Sequence, residues 1–351
     1  KSLGAGDGPA ALASFEKAEQ EFRAARDQLG PQWLRDTPWL GRQLAAADDL
    51  AAIGAAGARA GAHAARLLGV TGDVTGDDRL AQLLTLARPH LDGALSSLVE
   101  VADRAERLSP DGLAGPLAEA VVDVQQELEP LALVLSRSEA LLELERYLFS
   151  GQHRFLVLAQ NSAQLRATGG FPGTYGLVGI GPDGFTLEHF ADIYSLPDTT
   201  AKLPLPDGWR MSAARLTMRS ANWWQDFPTS ADTVLRIWRG LDPAQPAVDG
   251  VIAIDLPAIR DLLEVFGPIR VPESDVALTA DDVVVQLGYI VEVEHSGQTS
   301  DQRKDAVVSL AKAVMKRLTR LSDDEFLPTM KALAASANGR HVQGCLSGPA
   351  A

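Results

Sequence analysis

The sequence predicts an α+β chain in two parts: a helical bundle over residues 1–150, then an α/β domain over residues 151–345. Three observations predict this. Before residue 150, apolar residues recur at helical spacing and no strand-like alternation occurs. After Gly151, short apolar runs alternate with Gly, Pro and Asp turns and with capped helices. At 351 residues, the chain also exceeds one average domain.

In chain order, Phe15, Ala18, Phe22, Ala25 and Leu29 form one stripe of a first helix. A connection from Trp33 to Trp39 leads into an alanine-rich helix over Leu40–Leu68. Turn residues at 69–76 and 109–115 separate two further helices, Asp78–Leu108 and Gly115–Tyr147. An antiparallel bundle is the economical packing. Its few aromatic residues argue against a ligand cavity, so this part reads as scaffold or spacer.

In the second part, Phe155–Ala159, Tyr175–Ile180 and Phe185–Ile193 read as strands, followed by a proline-rich connection over Leu196–Trp209. Thr229-Ser230-Ala231-Asp232 offers an N-cap for a helix that runs through Trp238 and stops at Gly240. Val248–Asp255 is a short buried strand, Pro257 opens a helix over Ala258–Phe266, and Ile269–Val271 is extended. Thr279–Asp282 caps another helix, Ser300-Asp301 opens a long one reaching Leu321, and Asp323–Ala335 forms the last. Arg340–Cys345 starts a final strand, and a further C-terminal segment is expected beyond residue 351. Strands interleaved with helices imply a sheet covered on both faces.

Charge and composition exclude several function classes. The net charge is −14, with 14 basic against 23 acidic residues up to position 150 and 18 against 23 after it. Neither part suits nucleic acid, and an anionic membrane surface would repel both. No apolar run approaches the ~18 residues of a membrane span. The single cysteine, Cys345, excludes a disulfide framework and a thiolate cluster, and the six histidines lack paired helical spacing. There is no Gly-x-Ser-x-Gly elbow and no P-loop. Gly169, Gly170 and Gly173 precede a strand rather than a helix, so they form no dinucleotide fingerprint.

Polar chemistry is concentrated in the stretch from Asn161 to Gly173, where Arg166 and three glycines lie between two strands. Exposed N–H groups beside a guanidinium suit a phosphate or carboxylate; a glycine-stiffened hairpin with a surface arginine is the structural alternative. Arg219 to Pro228 interleaves Asn222, Gln225 and Asp226 with Trp223 and Trp224, a pattern suited to sugar recognition. There the alternative is a tryptophan anchor with Asp226 capping the next helix. Asp301-Gln302-Arg303-Lys304 places cations at a helix N-terminus, which an anion would relieve and a solvated face would also explain. Asp249 and Asp255 flank the short strand, with helix capping the default role of Asp255.

The order of Leu165 to Phe171, Trp223 to Pro228 and Val248 to Asp255 resembles a bacterial extracytoplasmic family catalogued as a domain of unknown function. The resemblance covers nearly the whole chain, and Arg-x-Thr-Gly-Gly-Phe is its most specific motif. It implies an upstream membrane anchor. Asp249–Pro272 is also distantly similar to the LytR-CpsA-Psr family, an α-β-α fold. The 161–173 loop falls where that family has Arg-Ser-Asp-Thr, and Arg303 falls near its Gln-Arg helix. Those enzymes transfer glycopolymers from polyprenyl-pyrophosphate carriers, holding pyrophosphate with arginines and magnesium with aspartates. Here Thr168 and Asn161 stand where carboxylates are expected and no arginine follows Pro197, so the magnesium ligands are missing.

Together these readings imply an extracytoplasmic enzyme acting on a cell-wall glycan or a polyprenyl-phosphate-linked sugar. Its pocket draws on Arg166, Thr168, Gly169, Gly170, Asn222, Asp226 and Arg303, with Asn161, Arg219, Trp223 and Trp224 beside them. A glycoside hydrolase version requires two carboxylates about 5 to 10 Å apart, for which Asp226 and Asp192 are the candidates. The non-enzymatic alternative is a scaffold that binds a glycan or lipid-linked sugar.

Overall fold

The computed structural model describes residues 8–347 except 31, 70–78, 130–131, 183, 210–214, 273–276, 290–299 and 319. The chain forms two compact units, one holding Lys1–Val74 and Gln82–Ser150, the other Thr75–Ala81 and Gly151–Ala351.

The first unit is helical: α1 (Gly8–Asp27), α2 (Gln32–Arg35), α3 (Pro38–Gly69), α4 (Arg79–Arg107), α5 (Gly115–Leu128) and α6 (Ala132–Phe149). The predicted stripe on α1 meets two glycines of α3. A Cβ at Gly61 would lie 2.4 Å from the Phe15 ring, and one at Gly54 would lie 2.5 Å from the Phe22 ring. Both pairs are spaced seven residues apart, so each phenylalanine seats in a notch that a larger residue would fill. Arg66–Glu16, Arg59–Glu19 and Arg26–Asp48 ion pairs run in reversed order along the two helices, which are therefore antiparallel.

One expectation for this unit is corrected. The helix expected over Gly115–Tyr147 is two helices, with α5 ending at Leu128 and α6 starting at Ala132. Among the described residues, an open groove of about 490 Å³ is lined by Leu128 and Leu135 together with Asp103, Glu106, Glu129 and Glu139.

The second unit contains β1 (His153–Asn161), β2 (Phe171–Gly181), β3 (Gly184–Asp192), α7 (Phe227–Arg239), β4 (Gly250–Asp255), α8 (Leu256–Phe266), α9 (Val283–Tyr289), α10 (Ser300–Leu318), α11 (Asp323–Asn338) and β5 (Val342–Leu346). The strands form a mixed sheet in the order β3-β2-β1-β4-β5. Only β1 and β4 are parallel; the other three pairings are antiparallel. The two-part α+β arrangement is thus present, with a mixed sheet in the second part.

Helices cover both faces of this sheet. Leu156, Leu158, Tyr175, Leu177, Val251 and Ala253 pack with Ala231, Val234, Leu235 and Trp238 of α7 in one core. Alternation along β1 sends Phe155 and Val157 to the other face, where they are buried as well. α8 contacts β1 and β4, and α10 contacts β2 and β3. α8, α9 and α10 share a second core around Leu263, Leu287 and Leu310.

The start of α7 differs from the expected Thr229 cap and follows the alternative in which Asp226 caps the helix. The helix begins at Phe227, with Pro228 in its first turn, and Asp226 is the N-cap. Its Oδ2 accepts the Thr229 N–H at 2.9 Å and the Thr229 hydroxyl at 2.6 Å. An aspartate followed two residues later by proline is itself a helix-start signal, because proline suits the first turn where no N–H partner is needed.

Candidate functional site

β1 and β4 lie side by side and parallel, yet the chain leaves them differently: β1 through residues 162–170 into β2, and β4 directly into α8. Such divergence opens a crevice outside the carboxyl ends of the strands. Gln160 stands opposite Asp255 in register, and the Asp255 N–H donates to the His341 carbonyl at 3.1 Å, just before β5. Gln160 follows Leu158 by two residues and Asp255 follows Ala253 by two, so both side chains lie on the α7 face.

The loop after β1 is tied to this row at Thr168. The buried Thr168 hydroxyl oxygen accepts from Gln160 Nε2 at 2.8 Å and from Asn222 Nδ2 at 3.0 Å. The Thr168 carbonyl accepts from Gln343 Nε2 at 2.8 Å, and the Gly170 carbonyl accepts from Asn222 Nδ2 at 2.8 Å. Gly169 has φ +118°, a region disfavoured for residues with a side chain. A Cβ at Gly170 would lie 2.4 Å from the Asn161 carbonyl oxygen. Asn161 itself shapes the turn, its Oδ1 accepting the Ala163 N–H at 3.0 Å. Thr168, Gly169, Gly170 and Asn161 are therefore brought together as the frame of the loop.

That frame presents Arg166. The side chain is exposed, lies over the Phe171 ring at 5.6 Å and pairs with no described carboxylate. Arg219 lies over the Tyr194 ring at 4.4 Å, again without a described carboxylate partner, and the Phe171 and Tyr194 centroids are 6.5 Å apart. The two arginines are thus held on adjacent aromatic rings, which orient a guanidinium while leaving its N–H edge available. Leu165, Arg166, Ala167, Ser220, Asn222 and Trp223 line a cavity of about 220 Å³. Of these, Asn222 is 2% exposed, and its buried Oδ1 has no hydrogen-bond partner among the described residues. Both Nδ2 partners are acceptors, which fixes the amide orientation.

The two tryptophans separate in role. Trp224 packs against the α7 core, whereas Trp223 lines the cavity with its ring 5.1 Å from that of Trp209. Asp192 is buried and its Oδ1 accepts the Tyr194 N–H at 2.9 Å, capping the single 3-10 turn Ile193–Ser195. Asp226 is exposed, and the Thr229 hydroxyl, then the Thr229 N–H, hold its carboxyl below the usual aspartate range. Both proposed catalytic aspartates are therefore helix caps, and Asp226, stabilised in its charged form, is poorly suited to general-acid work. Burial pushes the Cys345 thiol up, with Asp226 and Asp232 adding to the effect, so it is no ready nucleophile. Arg303 belongs to α10, but its side chain lies outside the described residues.

Residues 150–289 match the model of a family described as a protein of unknown function, DUF4012. No curated protein and no solved structure matches the chain. The matched stretch holds β1 to β4, the 162–170 loop and the whole 219–228 cluster, whereas His341 and Gln343 follow it. No described helix is long and apolar enough to cross a membrane.

The donors at the loop do not fit magnesium. The Thr168 hydroxyl oxygen already accepts two hydrogen bonds, and Asp255 is held by His341 and by the start of α8. Among the described residues, no group of three or more His, Cys, Asp or Glu is placed to hold a metal. Sequence reasoning missed Gln160, Tyr194, Trp209, Gln343 and His341. Gln160 was detectable as a polar residue ending a buried strand; the others become neighbours only through folding.

Proposed function

We propose that the second unit recognises a phosphorylated cell-envelope glycan, of the kind carried on a polyprenyl phosphate or pyrophosphate, and takes part in its transfer. The observation that carries this reading is the pairing of Arg166, exposed and without a described carboxylate partner, with a cavity lined by Asn222 and Trp223. The arginine supplies bidentate donors for phosphate oxygens, and Arg219 adds a second cation. Trp223, which lines the cavity, offers an apolar platform to the sugar ring. The resemblance to the LytR-CpsA-Psr family supports transfer rather than simple binding. It also supports an extracytoplasmic location with an anchor upstream. The helix-capping roles of Asp226 and Asp192 weigh against the hydrolase version.

The test is calorimetric titration of the protein with inorganic pyrophosphate and with a polyprenyl-pyrophosphate-linked sugar, repeated on Arg166→Ala. Binding by the wild type and its loss in the variant are expected, with the sugar-bearing ligand held more tightly than pyrophosphate. Equal affinity of wild type and variant would overturn the assignment of the site. An accompanying incubation with a cell-wall acceptor, with and without magnesium, reports transfer as a new glycan product.

A further inference from the structure

One titratable pair at the same strand ends is unused by the binding reading. His341 Nδ1 lies 2.9 Å from Asp255 Oδ2, and the two residues are also joined through the Asp255 N–H and the His341 carbonyl. Asp255 is buried, and its Oδ1 accepts the Ala258 N–H at 3.3 Å, so the carboxylate is fixed at both oxygens. A carboxylate at Nδ1 holds the ring proton there and leaves a lone pair on Nε2. The imidazole is about one-third exposed, and its Nε2 bonds to no described residue. The ring edge lies against Gly339, where a Cβ would come within 2.8 Å of Cδ2 and 3.2 Å of Nε2, so a side chain there would crowd Nε2. Nearby Asp261 is occupied by Arg260 at 2.8 Å and the Ser336 hydroxyl at 2.8 Å, so it does not compete for the ring.

The pair also has a defined place relative to the arginine loop. Gln160, Asp255 and His341 run across β1, β4 and the start of β5, which separates the ends of the row by about 10 Å, two strand spacings. Gly169 lies over its centre: a Cβ there would be 3.1 Å from Gln160 Oε1 and 3.5 Å from Asp255 Oδ2. Gln343, two residues beyond His341, reaches the Thr168 carbonyl. One loop therefore has Arg166 on its cavity side and rests on the oriented histidine's carboxylate.

We propose that His341 is the general base of this site, with Asp255 as its positioning residue, and that the substrate class is a hydroxyl-bearing glycan acceptor attacking a bound diphosphate. This rests on the reading that the loop binds a phosphorylated ligand. In the step, the acceptor hydroxyl oxygen bonds to phosphorus and its proton passes to His341 Nε2. The bridging P–O bond breaks, and its electron pair departs with the leaving phosphate, whose charge the arginines offset. His341 then returns the proton to solvent.

The test needs no turnover. Carbethoxylation by diethyl pyrocarbonate requires an unprotonated, accessible ring nitrogen, and peptide mass spectrometry follows it at His341 in the full chain. His341 should react readily, and saturating inorganic pyrophosphate should protect it. In Asp255→Asn, the amide oxygen keeps the α8 cap and the amide NH₂ faces Nδ1, forcing the proton to Nε2. The rate should then fall by at least about tenfold. An unchanged rate in Asp255→Asn overturns the proposal, as does pyrophosphate that binds by calorimetry without protecting His341. No pyrophosphate binding, with the Asp255→Asn effect intact, overturns the anion reading and leaves the oriented base supported. Ring nitrogen chemical shifts in the labelled wild type give the tautomer without a variant; a proton on Nε2 counts against the proposal.

Discussion

Asn222 donates to the Thr168 hydroxyl at 3.0 Å across 54 residues of sequence, and the same amide nitrogen also holds the Gly170 carbonyl. The 219–228 cluster is thereby locked to the β1–β2 loop at a fully buried point. Replacing Asn222 with Ala removes both bonds and leaves two buried acceptors with fewer partners. A loss of roughly 1–3 kcal/mol is expected, measured by urea denaturation, and faster amide exchange should be confined to residues 162–170.

Gly170 is sterically obligatory. Alanine there would press its Cβ against the Asn161 carbonyl at 2.4 Å and the Ser162 nitrogen at 2.8 Å, both backbone atoms that cannot rotate away. Gly170→Ala is expected to cost about 1–3 kcal/mol, the range for forced overpacking, and to lower Tm. Gly57→Ala, where a Cβ meets nothing within 4 Å in a helix, is the control and should be neutral or stabilising.

Arg219 separates stability from binding. Its contact with the half-exposed Tyr194 ring is worth about 0.5–1 kcal/mol, so Arg219→Ala should barely shift Tm. If both arginines face one ligand, pyrophosphate affinity should fall by roughly tenfold or more, since a charge-assisted hydrogen bond contributes about 1.5–3 kcal/mol. Calorimetry beside thermal melting separates the two effects.

In the helical unit, His63 and His90 meet with their Nδ1 atoms 3.4 Å apart. Burial lowers both pKa values, and Arg66 lowers them further, while Glu19 opposes the shift at His63. The unfolded chain therefore takes up protons first as pH falls below the ordinary imidazole value of about 6.5. Stability of this unit is full above that value and declines until the lower folded values are passed. Gly93 leaves no side chain beside the His63 ring, where a Cβ would lie 2.4 Å away, so the pair is closely confined. Thermal melting at about pH 7.5 and 5.5 should show the loss, and His90→Gln should reduce it.

Asp226 titrates in the opposite sense. Its folded pKa is depressed, chiefly by the Thr229 hydroxyl, so its capping contribution is present above the usual aspartate range and disappears as acid protonates it. Asp226→Asn retains a capping oxygen and should preserve α7, whereas Asp226→Ala should destabilise it at neutral pH and match the wild type in strong acid. Circular dichroism of the two variants checks this.

Much of the architecture was legible because local rules govern it. The Phe15–Phe22 stripe, the Gly240 stop of α7 and the capping role of Asp255 depend on residues within a few positions of each other. Failures arose where a local signal had a competitor. Thr229 looked like a cap, but Asp226 with Pro228 in the first turn opens the helix one turn earlier. Asp192 and Asp226 were candidate acids because a carboxylate's chemistry is visible in sequence; the capping alternative was visible for Asp226, whereas the Tyr194 N–H that engages Asp192 was not.

The candidate site divides in the same way. The sequence by itself determined the glycine-rich turn carrying Arg166 and the tryptophan-bearing cluster at residues 219–228, because close backbone approach and aromatic platforms each demand particular residue types. Only the tertiary structure decided that Asn222 closes on Thr168, that Phe171 and Tyr194 support the two arginines, and that His341 reaches Asp255 from 86 residues away. Those pairings follow from strand order and register in the sheet. That register is set by summed packing against α7 and the opposite helices, and no single motif encodes it.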